Sequence, residues 1–279
     1  MVKYKFHRKS YRIKKRKSIW RNRFFWLSIL GLVILGGIFY LLGLSAFFRI
    51  EKIIVSGNEE IPKERIQDIV KENLERKIMF FKSKSIFLID LKKIKENVLN
   101  IFPQIGEIEI TRGFPDTLNL KVAERKEVGI FCHQDTCFLL DKEGVIFENV
   151  PKEMQLLKIQ KLNLYIKIKL GERIIEKELS APILEAETEL REDFKIPVKE
   201  ISIISDERVN FKTFEDWEIY FNPQRGINWQ LTKLKAVLEN EIPAEKRKDL
   251  EYIELRFGNS APFKYRTSPT LHPPAEAGP

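Results

Sequence analysis

Histidine and cysteine are scarce in this 279-residue sequence, and its glycines are not clustered. The three histidines, His7, His133 and His272, lie far apart, which leaves no basis for a histidine-based catalytic triad or metal cluster. The 13 glycines are scattered and form no phosphate-binding loop. Acidic residues are numerous but alternate with lysines, the pattern of solvated surfaces. We therefore expect no catalytic residue, no cofactor and no metal ion.

The stretch from Phe24 to Phe48 contains no charged residue. A helix rises ~1.5 Å per residue, so a helix over this stretch is long enough to cross a hydrocarbon core of ~30 Å. A cleaved signal peptide is the alternative, but its apolar stretch is shorter, about 7–15 residues, and ends at a small-x-small site. Gly43-Leu-Ser45 resembles such a site only weakly. We predict a single transmembrane helix over residues 24–48.

The leader over residues 1–23 contains 11 lysines and arginines and no acidic residue. Positively charged flanks stay in the cytoplasm, which predicts a cytoplasmic N-terminus and C-terminal domains that are periplasmic or extracellular. The whole chain has a net charge of +9, so the residues after the leader carry a net charge of about −2. Membrane topology and attraction to anionic lipid explain the basic leader better than nucleic-acid binding.

The two cysteines, Cys132 and Cys137, are flanked by apolar segments, a pattern that predicts a β-hairpin with the cysteines facing each other. Outside the cytoplasm such a pair can form a disulfide. Two free thiols are the alternative. A metal site that includes His133 is disfavoured because only three ligands are available and their spacing is awkward.

Residues 49–124 are predicted to form β-α-α-β-β, two helices on one face of a three-stranded sheet. A strand rich in β-branched residues spans 49–56, and two amphipathic helices with one apolar face each follow. A hairpin with period-two alternation then surrounds the turn Gly113-Phe-Pro-Asp116. The apolar positions are Ile66, Ile69, Val70 and Leu74 in the first helix, Leu91, Ile94 and Val98 in the second, and Ile108, Ile110, Leu118, Leu120 and Val122 in the hairpin.

Residues 125–266 are predicted to form a mostly antiparallel β domain with flanking helices, so the fold class is α+β. The Pro-rich stretch 267–279 is expected to be disordered. Two strands joined by an Asp/Gly turn are expected over 138–147, single strands over 162–170, 198–204, 208–212, 217–221 and 252–257, and helices around Leu179–Leu190 and Ile227–Leu238.

The order of these segments behind the apolar helix resembles the FtsQ/DivIB family of bacterial cell-division proteins, over nearly the whole chain. The first strand resembles that of the family's POTRA domain, and later segments resemble the second half of that domain and the β domain. The motifs are Ile53-Ile-Val-Ser-Gly-Asn58, Phe102-Pro103, Ile108-Glu-Ile110, Arg112, Pro115, Leu118, Val122-Ala-Glu-Arg125, Leu140-Asp141, Gly144-Val-Ile146 and Tyr252-Ile-Glu-Leu-Arg-Phe257.

The resemblance implies a scaffold of the divisome that joins FtsB and FtsL, and through them the septal peptidoglycan synthases. Other divisome proteins are expected to bind through the POTRA domain. In the family, the last strands of the β domain bind FtsB by strand addition with a nearby helix contributing. These correspond here to residues 252–257, 260–266 and 227–240. The interface residues implied are Tyr252, Glu254, Arg256, Phe263 and Tyr265.

Three alternatives remain open at this point. Phe263 and Tyr265 would merely cover the sheet if the last strand bound no partner. The chain would be a translocation or envelope-assembly component if its POTRA-type domain served that role, although no long series of alternating strands typical of a barrel follows. A membrane-anchored peptidoglycan hydrolase would need a pair of carboxylates, which the sequence does not exclude.

Overall fold

The computed structural model describes residues 23–43, 45–74, 76–78, 81–134, 136–151, 154–162 and 168–266. Three expected segments lie outside these residues. They are the basic leader except Arg23, the central residues of the strand expected over 162–170, and the tail that is expected to be disordered. The described residues form two compact units. The first contains residues 23–54, 67–91 and 110–120, and the second contains residues 55–66, 92–109 and 121–266. The domain boundaries expected from the sequence stay predictions.

Helix α1, Arg23–Gly43, is long and apolar enough to cross a membrane, and it is the one such helix among the residues that the structure describes. It ends at Gly43, whereas the apolar run continues to Phe48. Ser85 and Ser83 donate hydroxyl hydrogen bonds to the carbonyl oxygens of Leu42 and Gly43, in the last turn of the helix. These hydrogen bonds satisfy carbonyls that a helix end leaves without partners. A short 3₁₀ turn over Ala46–Phe48 then leads away from the helix.

The elements that follow confirm the predicted β-α-α-β-β order and add one small hairpin. The three long strands form a sheet of order β1-β5-β4. The added hairpin lies between the two helices, where no strand was predicted from the sequence. The bounds are β1 Lys52–Ser56, α2 Lys63–Asn73, β2 Arg76–Ile78, β3 Phe81–Ser83, α3 Leu91–Ile101, β4 Ile105–Gly113 and β5 Thr117–Glu124.

Burial in these elements follows the periodicity of the sequence. Leu118, Leu120 and Val122 alternate with more exposed residues along β5, as expected for a strand with one buried face. Ile94 and Val98, one turn apart on α3, are also buried. Apolar side chains at strand and helix periods therefore specify the core of this part of the chain.

A nine-stranded mixed sheet dominates the rest of the second unit, with the order β14-β13-β12-β11-β10-β9-β6-β7-β8. Strand β9 pairs in parallel with both β6 and β10, β12 pairs in parallel with β13, and the other five pairs are antiparallel. The mostly antiparallel character predicted for this domain is confirmed. The bounds are β6 Glu127–His133, β7 Thr136–Asp141, β8 Ile146–Val150, β9 Lys158–Lys161, α4 Lys177–Glu192, β10 Val198–Ser205, β11 Arg208–Thr213, β12 Glu218–Phe221, α5 Ile227–Asn240, β13 Leu250–Glu254 and β14 Phe263–Tyr265.

The core of this sheet lies on one face, where α4 and α5 contribute their apolar side chains. Along β11, Val209 and Phe211 are buried while Arg208 and Asn210 are only half-buried. The same alternation places Ile219 and Phe221 of β12 in the core, and the opposite face carries polar groups and tyrosines. One face of the sheet is therefore closed by helices, and the other remains accessible.

The two cysteines lie opposite each other near the end of the β6–β7 hairpin. Cys132 pairs in register with Cys137, their Cα atoms are 4.1 Å apart, and a disulfide joins them. Of the alternatives considered from the sequence, the structure contains the disulfide.

Candidate protein-binding edge

Strand β14 forms one edge of the nine-stranded sheet. It pairs antiparallel with β13, with Tyr252 opposite Lys264 and Ile253 opposite Phe263. Among the residues that the structure describes, no strand pairs with its outer side. The strand is only three residues long, and short edge strands are a common means of limiting unwanted pairing.

The backbone of β14 has a defined inner and outer side. The Pro262 carbonyl accepts a hydrogen bond from Glu254 N–H at 2.8 Å, and Arg266 N–H donates to the Asp249 carbonyl at 2.8 Å. Backbone groups alternate between the two sides of an antiparallel strand. Because Pro262 and Arg266 face β13, the N–H and C=O groups of Phe263 and Tyr265 are directed away from it. These are the groups that an added strand would use.

The side chains of Phe263 and Tyr265 pack against the core of their own domain. Their rings contact each other edge to face, with centroids 5.5 Å apart, and both side chains are half-buried. Lys264 points to the other side and forms an ion pair with Glu251 at 2.7 Å. The hydrogen bond and charge of Glu251 raise the pKa of Lys264. The predicted aromatic residues therefore cover the sheet with their rings while their backbone forms the edge.

Glu254 and Arg256, two further predicted interface residues, bind each other. Arg256 donates from Nε and Nη2 to the two carboxylate oxygens of Glu254, at 2.9 and 2.6 Å. The Arg256 backbone N–H also donates to Glu254 Oε1 at 3.0 Å. The carboxylate is buried and the guanidinium lies 4.7 Å from the centroid of the Phe257 ring. This fork-shaped pair fixes the chain as it leaves β13.

Tyr252 lies on the accessible face of the sheet, where its ring stacks on Tyr220 at 5.1 Å. The Arg208 guanidinium lies over the Tyr220 ring, 4.6 Å from its centroid. Burial, together with the charge of Glu218, raises the pKa of Tyr220 to about 12. Tyr252 therefore belongs to an aromatic surface beside the edge rather than to the edge itself.

A groove of about 640 Å³ runs beside the edge, between α5 and the segment that leads into β14. Trp229, which is 53% exposed, contributes an aromatic side chain to this groove. Val237 of α5 and Ala261, Pro262 and Phe263 of the last segment line it as well. Thr232, Glu241 and Asn259 also line it, so the groove offers a mixed apolar and polar surface next to the outward-facing backbone of β14.

Lys233 of α5 fixes the segment on the far side of this groove. Its ammonium group lies 2.6 Å from the carbonyl oxygen of Leu255 and 3.2 Å from those of Phe257 and Gly258. Neither Lys233 nor Trp229 was predicted as a functional residue from the sequence. Lys233 lies on the same helical face as Gln230 and Val237, which the structure shows to be buried, but because Gln230 and Lys233 are polar no local pattern predicts that burial.

In the part of the chain that the structure describes, no group of three or more His, Cys, Asp or Glu side chains is arranged to hold a metal ion. The edge itself presents the outward-directed backbone of β14, the exposed Trp229 ring and the groove beside it.

Two family models match this chain. The model described as "POTRA domain, FtsQ-type" matches residues 48–125, and the model described as "Cell division protein FtsQ/DivIB, C-terminal" matches residues 131–256. The second match ends before β14 begins. The comparison therefore covers β13 and α5 but not the edge strand itself.

Curated relatives carry the same names. The chain is 25% identical over 225 residues to "Cell division protein DivIB" of Clostridium botulinum strain Hall, covering 78% of this chain and 82% of that protein. It is 23% identical over 140 residues to "Cell division protein FtsQ" of Streptomyces bingchenggensis, half of each chain. A DivIB of Clostridium acetobutylicum is 32% identical over 102 residues, 37% of each chain. The chain therefore spans most of the first relative and half or less of the other two.

Proposed function

The chain belongs to the FtsQ/DivIB family of bacterial cell-division proteins, and we propose that it is a non-enzymatic scaffold of the divisome that works at the outer face of the cytoplasmic membrane. In this proposal α1 crosses the membrane once, with the basic leader in the cytoplasm. The residues after α1 then lie in the periplasm or outside the cell, which is compatible with a disulfide at Cys132 and Cys137.

The proposed partners are single-span division proteins of the FtsB and FtsL type, and through them the septal peptidoglycan synthases. The observation that carries this proposal is the outward-directed backbone of Phe263 and Tyr265 at the open edge of the sheet. A partner strand added there would form main-chain hydrogen bonds, the usual source of affinity in strand addition. The groove beside Trp229 would accept an adjoining apolar or helical segment of the same partner.

Confinement to one membrane makes a small interface sufficient. Two proteins anchored in the same bilayer present their outer segments within a thin layer, which raises their effective concentration. A three-residue edge strand gains few hydrogen bonds, each worth about 0.5–1.5 kcal/mol. Such an edge suits partners that the membrane already holds close.

The sharpest test compares two substitutions at one position, Tyr265→Pro and Tyr265→Ala, in the full-length protein in lipid nanodiscs. Both remove the ring, but only proline also removes the outward N–H. Inward pairing to β13 is retained in both variants, because Tyr265 directs its backbone groups away from that strand. Binding of purified FtsB-type and FtsL-type partners is measured by pull-down and by titration.

Strand addition predicts that Tyr265→Pro binds about tenfold more weakly than Tyr265→Ala, the effect of one lost hydrogen bond. Thermal unfolding checks that both variants keep their fold. Equal binding by the two folded variants would contradict strand addition at β14. If the unsubstituted protein binds neither partner, the partner proposal itself is wrong. A charged residue at Phe263 would be a poorer test, because that ring packs against the core.

A further inference from the structure

Four phenylalanines form a continuous series of ring contacts in the first unit. The ring centroids of Phe47 and Phe48 are 5.0 Å apart, those of Phe48 and Phe87 are 5.0 Å apart, and those of Phe87 and Phe114 are 5.2 Å apart. Phe47 is 66% exposed, Phe114 61% and Phe87 39%. Grouped aromatic rings that stay exposed are typical of a surface that contacts an apolar partner. Phe47, Phe48, Phe87 and Phe114 together form an aromatic cluster.

The aromatic cluster adjoins the end of α1. Ser83 and Ser85, just before Phe87, donate hydrogen bonds to the carbonyl oxygens of Gly43 and Leu42 in the last turn of the helix. Ile86 N–H donates to the Phe48 carbonyl at 2.9 Å. The helix end and the segment that carries Phe87 are therefore tied to each other by direct hydrogen bonds.

Phe114 joins the cluster from the turn between β4 and β5. In this turn the Asp116 carbonyl accepts a hydrogen bond from Glu51 N–H at 2.9 Å, and the Asp116 carboxylate forms an ion pair with Lys52 at 3.2 Å. These contacts hold the turn against residues that follow the 3₁₀ turn after α1. The ion pair also neutralises the acidic side chain that lies closest in sequence to Phe114.

We propose that the aromatic cluster inserts into the headgroup region of the membrane that α1 crosses, so that this part of the chain docks on the bilayer surface. The inference rests on membrane anchoring by α1, which is part of the proposed function. Lipid is the partner proposed for this surface because the cluster follows the end of the membrane helix, where the hydrocarbon core of the bilayer meets the headgroup region. Phenylalanine is among the apolar residues that surface-bound segments bury at the boundary between the headgroups and the acyl chains. Arg49, exposed beside Phe48, adds attraction to anionic headgroups.

Docking of this kind limits the freedom of the chain after α1. A helix that ended in a flexible linker would allow the outer domains to tumble. A helix end bonded to Ser83 and Ser85, with Phe47 and Phe114 in the interface, instead fixes the first unit against the membrane surface.

Photocrosslinking in the full-length protein tests this proposal. Phe114 is replaced by p-benzoylphenylalanine, and the protein is placed in nanodiscs of phosphatidylethanolamine and phosphatidylglycerol. Phe39, which is 58% exposed on α1, receives the same replacement as the positive control. Phe214, which is 66% exposed in the turn after β11, serves as the matched negative control. Mass spectrometry measures the lipid adduct formed on irradiation.

We expect lipid adducts at positions 39 and 114 and several-fold fewer at position 214. The docking of the cluster is overturned if position 39 forms a lipid adduct but position 114 forms no more adduct than position 214. That result leaves membrane anchoring intact. Absence of an adduct at position 39 overturns anchoring, and the docking proposal fails with it. A covalent dimer at position 114 without a lipid adduct shows that a second copy covers the cluster, which also overturns the proposal.

Discussion

The ammonium group of Lys233 donates a hydrogen bond to the backbone carbonyl of Leu255 at 2.6 Å, inside the domain that carries the candidate edge. The carbonyl oxygens of Phe257, Gly258 and Ser260 surround the same nitrogen at 3.2 to 3.4 Å. One side chain of α5 thus binds several carbonyl groups of the turn between β13 and β14 and holds this turn in place. Burial lowers the pKa of Lys233, and the negative charge of Glu254 opposes this effect.

Replacement of Lys233 by methionine should destabilise the protein and loosen this turn. Methionine fills a similar volume but leaves the carbonyl groups without a donor, a loss of about 1–3 kcal/mol. Denaturant unfolding measures the change in stability. Hydrogen exchange should become faster over residues 255–260, because the segment loses the group that orders it.

Lys235→Met, on the same helix, is the matched control. Lys235 is exposed and forms only a 4.0 Å ion pair with Glu239, so its replacement should change stability by about 0.5 kcal/mol or less. If the two variants unfold at the same denaturant concentration, Lys233 does not organise the turn.

Local periodicity explains which elements were predictable. Helix α5 follows from Ile227, Leu231 and Leu234, because each of these residues faces the core at helical spacing. Strand β9, Lys158–Lys161, was not predicted, because its sequence Lys-Ile-Gln-Lys carries a single apolar residue. Its place between β6 and β10 depends on parallel pairing with residues distant in sequence, which no local pattern encodes.

The candidate edge shows the same limit. The residue pattern predicted a strand over 252–257 and the family resemblance implied another within 260–266, and the structure contains a strand at Leu250–Glu254 and one at Phe263–Tyr265. Alternation cannot predict that the Glu254 carboxylate is occupied by Arg256, since that depends on how the chain bends after β13. A lysine on a buried helical face is unusual, and the carbonyl groups that accommodate Lys233 come from a turn more than twenty residues away.

Arg125 and Asp141 form a buried ion pair, with side chains that are 15% and 6% exposed. Arg125 also donates to the Pro103 carbonyl at 3.2 Å, and Asp141 accepts the N–H of Val145 at 2.8 Å. Arg125→Met leaves the carboxylate buried without its cation, so we expect a loss of about 3–5 kcal/mol in unfolding free energy.

Arg173→Met is the control for this pair. Arg173 lies 3.8 Å from Glu143, and both side chains are 38% exposed, so its loss should cost about 1 kcal/mol or less. Adding Asp141→Asn to Arg125→Met should restore part of the stability, because no unpaired charge then remains buried while the amide oxygen can still accept the Val145 N–H. A loss for Arg125→Met no larger than for Arg173→Met would contradict a structural role for the pair.

The disulfide between Cys132 and Cys137 should contribute modestly to stability, because it closes a very short loop. Chain-entropy estimates for a loop of this size give about 2 kcal/mol, so Cys132→Ala combined with Cys137→Ala should lower the unfolding free energy by up to that amount. Denaturant unfolding with and without reductant provides the measurement. Reductant should lower the unfolding free energy of the unsubstituted protein toward that of the variant and leave the unfolding free energy of the variant unchanged. A decrease in both proteins would show that the reductant acts on something other than this disulfide.

Glu124 is a pH-dependent contact between β5 and the segment after β1. Its carboxylate accepts the backbone N–H groups of Glu59, Glu60 and Ile61 at 2.9, 2.9 and 3.1 Å. Burial favours the neutral acid, but these three hydrogen bonds favour the carboxylate and hold the pKa of Glu124 below its usual value of 4.5. The resulting stabilisation is fully present above pH 4.5 and is lost as the pH falls through the lowered pKa.

Glu124→Gln should therefore destabilise the protein by about 1–3 kcal/mol at neutral pH, because the amide cannot accept all three N–H groups as a carboxylate does. The difference from the unsubstituted protein should shrink as the pH falls below 4.5, where the carboxylate of the unfolded chain begins to bind a proton, and should level off below the lowered pKa of Glu124 in the folded protein. Unfolding at several pH values measures this difference, and Glu109→Gln, at an exposed position of β4, controls for the loss of one negative charge. A difference that stays constant down to the acid limit of folding would show that the charge of Glu124 is not what holds this segment.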